Sequence, residues 1–180
     1  LGSFDRPNLS LNVAAAQNRF KTIVEFISVR PSTSGIIYCL SRKSTESMSS
    51  KLNEIGIKSS YYHAGMSADA RNQAQDDFIN DKIPVICATI AFGMGIDKDN
   101  IRYVIHAEIP ASLEGYYQEI GRAGRDGKPS ECLLLYDEQD LLIQMDFIKW
   151  SNPEADLYRR VYSVIKDDPD PINAYGIDGL

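Results

Sequence analysis

Apolar positions along the chain switch repeatedly between helical and strand spacing. Phe20, Ile23, Val24, Phe26 and Ile27 fit one helix face, which the Pro31 region ends. Gly35 to Leu40, GIIYCL, reads as a short apolar strand, and a helix over Ser44 to Ile55 follows, with Met48, Leu52 and Ile55 at helical spacing up to Gly56. The alternation continues with a strand at Lys58 to His63, a Ser67-capped helix to Asn80, and strands at Val85 to Ile90 and Tyr103 to Glu108. A helix over Leu113 to Ile120, a strand over Glu131 to Tyr136 and a helix over Glu138 to Trp150 complete the pattern. Leu1 to Ala16 reads as a lead without regular structure, Asn152 to Lys166 as one more helix, and Asp167 to Leu180 as an irregular tail.

Strands separated by roughly 10 to 15 helical residues predict right-handed βαβ units. The expected fold is therefore α/β: three layers, with a mainly parallel sheet flanked by helices. Residues 1–150 are expected to form the principal domain and 151–180 an extension that begins a following region. Ligands of such sheets gather at the carboxyl ends of the strands, so the candidate chemistry is expected just after Tyr38, His63, Ile90 and His106.

Composition narrows the function. The chain has 180 residues, 43% of them hydrophobic, enough for a buried core. Its net charge of -6 argues against indiscriminate adhesion to nucleic acid or anionic membrane, so a polyanion would be held by a few placed arginines and backbone amides. No apolar run reaches the roughly 18 to 20 residues of a membrane span, and the expected location is intracellular: cytoplasm or nucleoid in a bacterium, nucleus in a eukaryote. Cys39, Cys87 and Cys132 sit in apolar segments and form no CxxC pair, which predicts buried thiols and neither disulfide nor zinc.

No Gly-Lys-Ser or Gly-Lys-Thr loop occurs, so the chain is not expected to build its own nucleotide-phosphate site. Its two histidines match no nucleophile pattern, and no metal-ligand cluster is evident. What does carry chemistry is QEIGRAGRDG at 118–127. Arg122 and Arg125, three apart on a last helical turn, would turn two guanidinium forks toward one polyphosphate, while the glycines allow close backbone approach. The alternative is a glycine-ended helix whose arginines answer the helix dipole. A second stretch, ATIAFGMGIDK at 88–98, runs from a strand through Thr89, Gly93 and Gly95 to Asp97, which suits a phosphate contact and a ribose contact or, equally, a plain turn. His63 and Gly65 leave a strand just before a capped helix, and Ser41 and Arg42 leave another at the same edge. As the plainer readings, His63 is a half-buried polar residue and Arg42 a solvated charge.

These stretches, in this order, resemble the second RecA-like domain of superfamily 2 helicases, and resemble RecQ DNA helicases more closely. Arg6-Pro7-Asn8-Leu9 with the residues before it, AFGMGIDK at 91–98 and EGYYQEIGRAGRDG at 114–127 carry the likeness, which covers residues 3 to 150. The resemblance implies a P-loop NTPase fold without its own P-loop, in an ATP-dependent helicase that unwinds DNA 3′ to 5′ in repair and recombination. It implies that Arg125, with Arg122 beside it, is an arginine finger for ATP and magnesium held mainly by an N-terminal RecA-like domain. It further implies that Gln118 couples nucleotide state to the domain interface, and that Gly95 and Asp97 approach the nucleotide. Ser41, Arg42, His63, Gly65 and Thr89 would contact DNA, either single-stranded or a 3′-tailed duplex. With the first domain missing, the chain looks like a fragment that does not hydrolyse ATP alone. The usual four-cysteine zinc module is not indicated either, because residues 151–180 contain no cysteine. Two alternatives stand beside this: an RNA-dependent superfamily 2 helicase domain and a catalytically silent RecA-like binding module.

Overall fold

A computed structural model describes residues 6–93, 96–151 and 155–167. By its contacts the chain divides into two compact units, Leu1–Asp140 and Leu141–Leu180. In the first, the strands are β1 (Leu9–Ala15), β2 (Ser34–Tyr38), β3 (Ser59–Tyr62), β4 (Val85–Ala88), β5 (Ile101–His106) and β6 (Ser130–Tyr136). They form one sheet in the order β1-β6-β5-β2-β4-β3, and every ladder is parallel. The helices are α1 (Arg19–Ser28), α2 (Arg42–Glu54), α3 (Ala68–Ile79), α4 (Leu113–Ile120) and α5 (Glu138–Ser151), the last crossing into the second unit, which also holds α6 (Ala155–Asp167).

The three layers follow from strand periodicity. Alternate side chains point to opposite faces, so Ile37, Cys87, Tyr103 and Ile105 pack with Ile23 and Ile27 of α1 and Leu52 of α2. Ile36, Ile86, Val104 and Cys132 pack on the other face with Phe78 of α3 and Ile120 of α4. Helices α1 to α4 start where a short polar side chain can take an otherwise unpaired amide. Asn18 accepts from Lys21 N, Ser67 from Ala70 N and Ser112 from Gly115 N, while Ser41 and Ser44 cap α2 reciprocally. All three cysteines are buried and free, as the sequence predicted. Burial raises their pKa values, that of Cys132 to about 12, so none offers a thiolate at neutral pH. Among the described residues, no helix is long and apolar enough to cross a membrane.

One expectation needs correction. The lead is not irregular, because Leu9–Ala15 forms edge strand β1, paired with β6 from Leu9↔Ser130 to Ala15↔Tyr136. The period-2 signal of Leu9, Leu11 and Val13 was present, but Leu11 and Val13 face outward, 57% and 69% exposed, on a strand with one neighbour. The sequence pattern places no helix between β4 and β5, and the described residues of 89–100 form none; Phe92 and Ile96 lie on the sheet face that α3 and α4 cover. The predicted tail at 168–180 lies outside the described residues.

Gly35 has no room for a side chain, since a Cβ would stand 1.9 Å from the Tyr103 ring. Gly35→Ala is expected to cost about 1 to 3 kcal/mol through overpacking, read as a lower urea midpoint at unchanged slope. Lys98, buried, donates to Asp81 Oδ1 at 2.6 Å and holds that carboxyl below its usual pKa, with Ser34 adding a second bond. A depressed carboxyl stabilises the fold above its unfolded pKa, near about 3.9, and that contribution is lost as pH falls through the folded value. Acid titration of stability should therefore flatten in Lys98→Met over that window.

Candidate nucleotide and nucleic-acid site

The carboxyl ends of β2, β4 and β3 bring one set of predicted residues together. Ser41 caps α2 and Arg42 begins it, both exposed just past β2. Arg42 lies across Gly65, where a Cβ would stand 2.8 Å from Arg42 Nη1, so the glycine makes room for the guanidinium. Between them, just past the end of β4, Thr89 N donates to Tyr62 O at 3.1 Å. Thr89 is partly buried, and Ile90 beside it is 75% exposed, so β4 ends at Ala88, two residues earlier than the sequence suggested. His63 belongs to this edge but is buried rather than half-buried: Glu46 Oε1 lies 2.8 Å from its Nε2, and Tyr61 stacks on its ring.

The arginine pair sits elsewhere. α4 closes at Ile120, so Arg122 and Arg125 lie in the turn beyond it and not on its last turn. Gly124 N donates to Ile101 O at the start of β5, which brings this turn toward the amino end of that strand and away from the carboxyl edge. What the arginines meet is the helix-free return from β4. Arg122 Nη1 donates to Gly93 O at 2.5 Å and Arg125 Nη1 to Ile96 O at 3.0 Å. A Cβ at Gly93 would stand 2.3 Å from Arg122 Nη2, so only glycine allows the guanidinium this close. The two motifs thus form one surface in which Arg125 and Asp97 are exposed, with Gln118 exposed on α4. Gly95 lies outside the described residues.

Glycines in the turn have separate reasons. Gly124 adopts φ +58 and Gly127 φ +77, a backbone region that disfavours side chains. At Gly124 a Cβ would also meet Asn8 Nδ2 at 2.5 Å and Lys128 O at 2.8 Å. The turn is gripped from the amino-terminal segment, where Arg6 Nη2 donates to Ala123 O at 2.9 Å and Gly124 O at 3.0 Å, and Asn8 Nδ2 to Gly124 O at 2.9 Å. On its far side Arg102 bonds Asp126 at 2.7 Å and holds that carboxyl's pKa down.

Residues 18–127 match the family described as "Helicase conserved C-terminal domain". The chain belongs to that family. A helicase C-terminal domain of this kind is similar over 151 residues, at 43% identity, to the ATP-dependent DNA helicase RecQ of Bacillus subtilis, covering 84% of this chain and 26% of that protein. It is 48% identical over 151 residues to an Acanthamoeba polyphaga mimivirus protein named as an ATP-dependent RNA helicase, R290, covering 83% of this chain and 28% of the relative. The chain therefore spans about a quarter of the length of these curated relatives. The fold is like that of a DEAD box protein from the hyperthermophile Methanococcus jannaschii, with a TM-score of 0.67 and 24% identity over 81% of this chain and 40% of that chain. The RecA-like α/β fold and the RecQ resemblance read from the sequence both hold.

Sequence reasoning missed the buried pair behind the helicase motifs. His106 and Glu119, 1% and 6% exposed, share a 2.7 Å hydrogen bond between β5 and α4. A histidine ending a strand and a glutamate inside QEIGR were the available signals. Gly124→Ala is expected to destabilise the domain by about 1 to 3 kcal/mol, from backbone strain and the displaced Asn8 and Lys128 contacts, measured by urea unfolding.

Proposed function

We propose that this chain is the second RecA-like motor domain of a RecQ-type, ATP-dependent DNA helicase that unwinds 3′ to 5′ in repair and recombination. Residues 1–150 form the motor half and 151–180 open a further region. The reading is carried by the docking of Arg122 and Arg125 on the glycine-rich return, with Arg125 and Asp97 left exposed beside each other's motif.

Arg122 braces that surface from within, and Arg125, which donates to Ile96 O, is the finger. A guanidinium fork fits phosphate oxygens and offsets the charge that develops on a transferring phosphoryl group. ATP and its magnesium would be held by an N-terminal RecA-like domain. Asp97 would meet the ribose, with Gly95 alongside, and Gln118 would report nucleotide state to the facing domain. At the carboxyl edge Ser41, Arg42, Gly65 and Thr89 would grip one strand's phosphates. His63, whose Nε2 is already engaged by Glu46, would support that loop more than touch DNA. Closure of the two halves around ATP would then move the grip along the strand. The intact arginine pair speaks against a silent module.

The mimivirus relative favours a second reading, an RNA-dependent motor, since contacts to phosphate do not by themselves separate the two nucleic acids. Turnover of the full-length parent stimulated by single-stranded DNA over RNA supports the first reading, and the reverse order supports the second.

In that parent, Arg125→Ala should lower DNA-stimulated ATP turnover by roughly 10³-fold or more while DNA affinity is kept. Unchanged turnover would remove Arg125 from the chemistry. Arg42→Ala should weaken single-strand binding across all sequences and reduce the salt slope by about 1.

A further inference from the structure

Six residues close a ring that includes Arg122 of the arginine pair. Tyr38 and His106 are register partners at the ends of β2 and β5, and their rings stack at 5.3 Å and 22°. The Tyr38 hydroxyl donates to Phe92 O at 3.0 Å. Burial raises its pKa, so it remains a donor throughout the physiological range. The next carbonyl, that of Gly93, accepts from Arg122. Arg122 N in turn donates to Glu119 O at 3.3 Å, and the Glu119 carboxylate returns to His106 Nε2 at 2.7 Å. Tyr116 closes the other side of the imidazole, with ring centroids 4.9 Å apart.

We propose that His106 and Glu119 are positioning residues for the arginine pair, fixing the end of α4 against β5 while Tyr38 fixes the loop that the arginines meet. This rests on the reading above that Arg122 and Arg125 face a nucleotide. Folding alone does not call for such a pair, because replacing both partners of a buried polar contact by apolar groups of similar shape is near neutral or stabilising. A directional bond adds a defined rotation and height for the last turn of α4, one residue before the turn that carries both guanidinium groups. Apolar contact between α4 and β5 would keep them together without setting that angle. A misplacement of about 1 Å can cost on the order of 10²-fold in rate, so the angle matters to a finger.

The test uses the full-length parent with His106→Phe, which keeps the stack on Tyr38, Glu119→Leu, the double variant and Glu119→Gln. ATP turnover with saturating DNA, the Michaelis constant for ATP, melting temperature and amide exchange at Arg122 are measured for each. His106→Phe should lose on the order of 10²-fold in kcat, with the Michaelis constant nearly unchanged. Glu119→Gln, which keeps an acceptor for His106, should retain far more turnover than Glu119→Leu. In the double variant melting temperature should return to that of wild type while kcat stays low and the Arg122 amide exchanges faster. Recovery of kcat together with melting temperature, or wild-type turnover in His106→Phe, overturns the proposal. A wild-type parent with no nucleic-acid-stimulated turnover would sink the motor reading instead. Exchange at Arg122 then decides the ring: faster in the double variant supports it, and unchanged exchange removes it.

Discussion

The bond from Arg122 to the carbonyl of Gly93 is the contact on which the candidate motor surface depends. It joins segments 29 residues apart, the return from β4 and the turn after α4, and a side chain at Gly93 would displace the guanidinium from its present place. Gly93 leaves the space that the guanidinium fills, and arginine has the reach and the planar fork to fill it. A helix between β4 and β5, the usual connection in a parallel sheet, would have placed a cylinder about 10 Å across where the arginines now meet backbone. The break in strand and helix alternation between β4 and β5 is thus where the proposed chemistry sits.

The two proposed functional regions are physically continuous. Thr89 stands at the carboxyl edge beside the Arg42 and Gly65 pair, and its carbonyl accepts from Phe92 N. Phe92 is buried and receives the Tyr38 hydroxyl, and Gly93 beyond it receives Arg122. The chain from Thr89 to Gly93 is held at one end by Tyr62 O, which accepts from Thr89 N, and at the other by the Tyr38 hydroxyl and the Arg122 guanidinium, and it connects the proposed phosphate grip to the proposed finger. A loop tied in this way transmits displacement, because packed interiors deform little.

The turn itself shows how the charge problem of an acidic protein is met. Arg6, Arg102, Arg122 and Arg125 all place guanidinium groups on backbone carbonyls or on Asp126. Carbonyls accept without neutralising, so the arginines stay positively charged while being held in position. Arg102 is the exception, sharing its charge with Asp126.

The sequence by itself determined the α/β class and five of the six strands, because short apolar runs set between helical-period segments leave little choice but a mainly parallel sheet. It also determined which residue types could act: arginine for phosphate, and glycine where backbone must come close. Buried cysteines and the Ser67 cap were legible for the same local reasons. Edge strand β1 was not, since an outward-facing apolar strand with one partner looks like a lead until β6 is there to pair with it. Only the tertiary structure decided that Arg122 and Arg125 sit past the helix end on the return from β4, and that Arg42 lies across Gly65. It alone paired His106 with Glu119. Each of these is a contact between segments whose spacing along the chain carries no periodic signal, so only the folded backbone could bring them together.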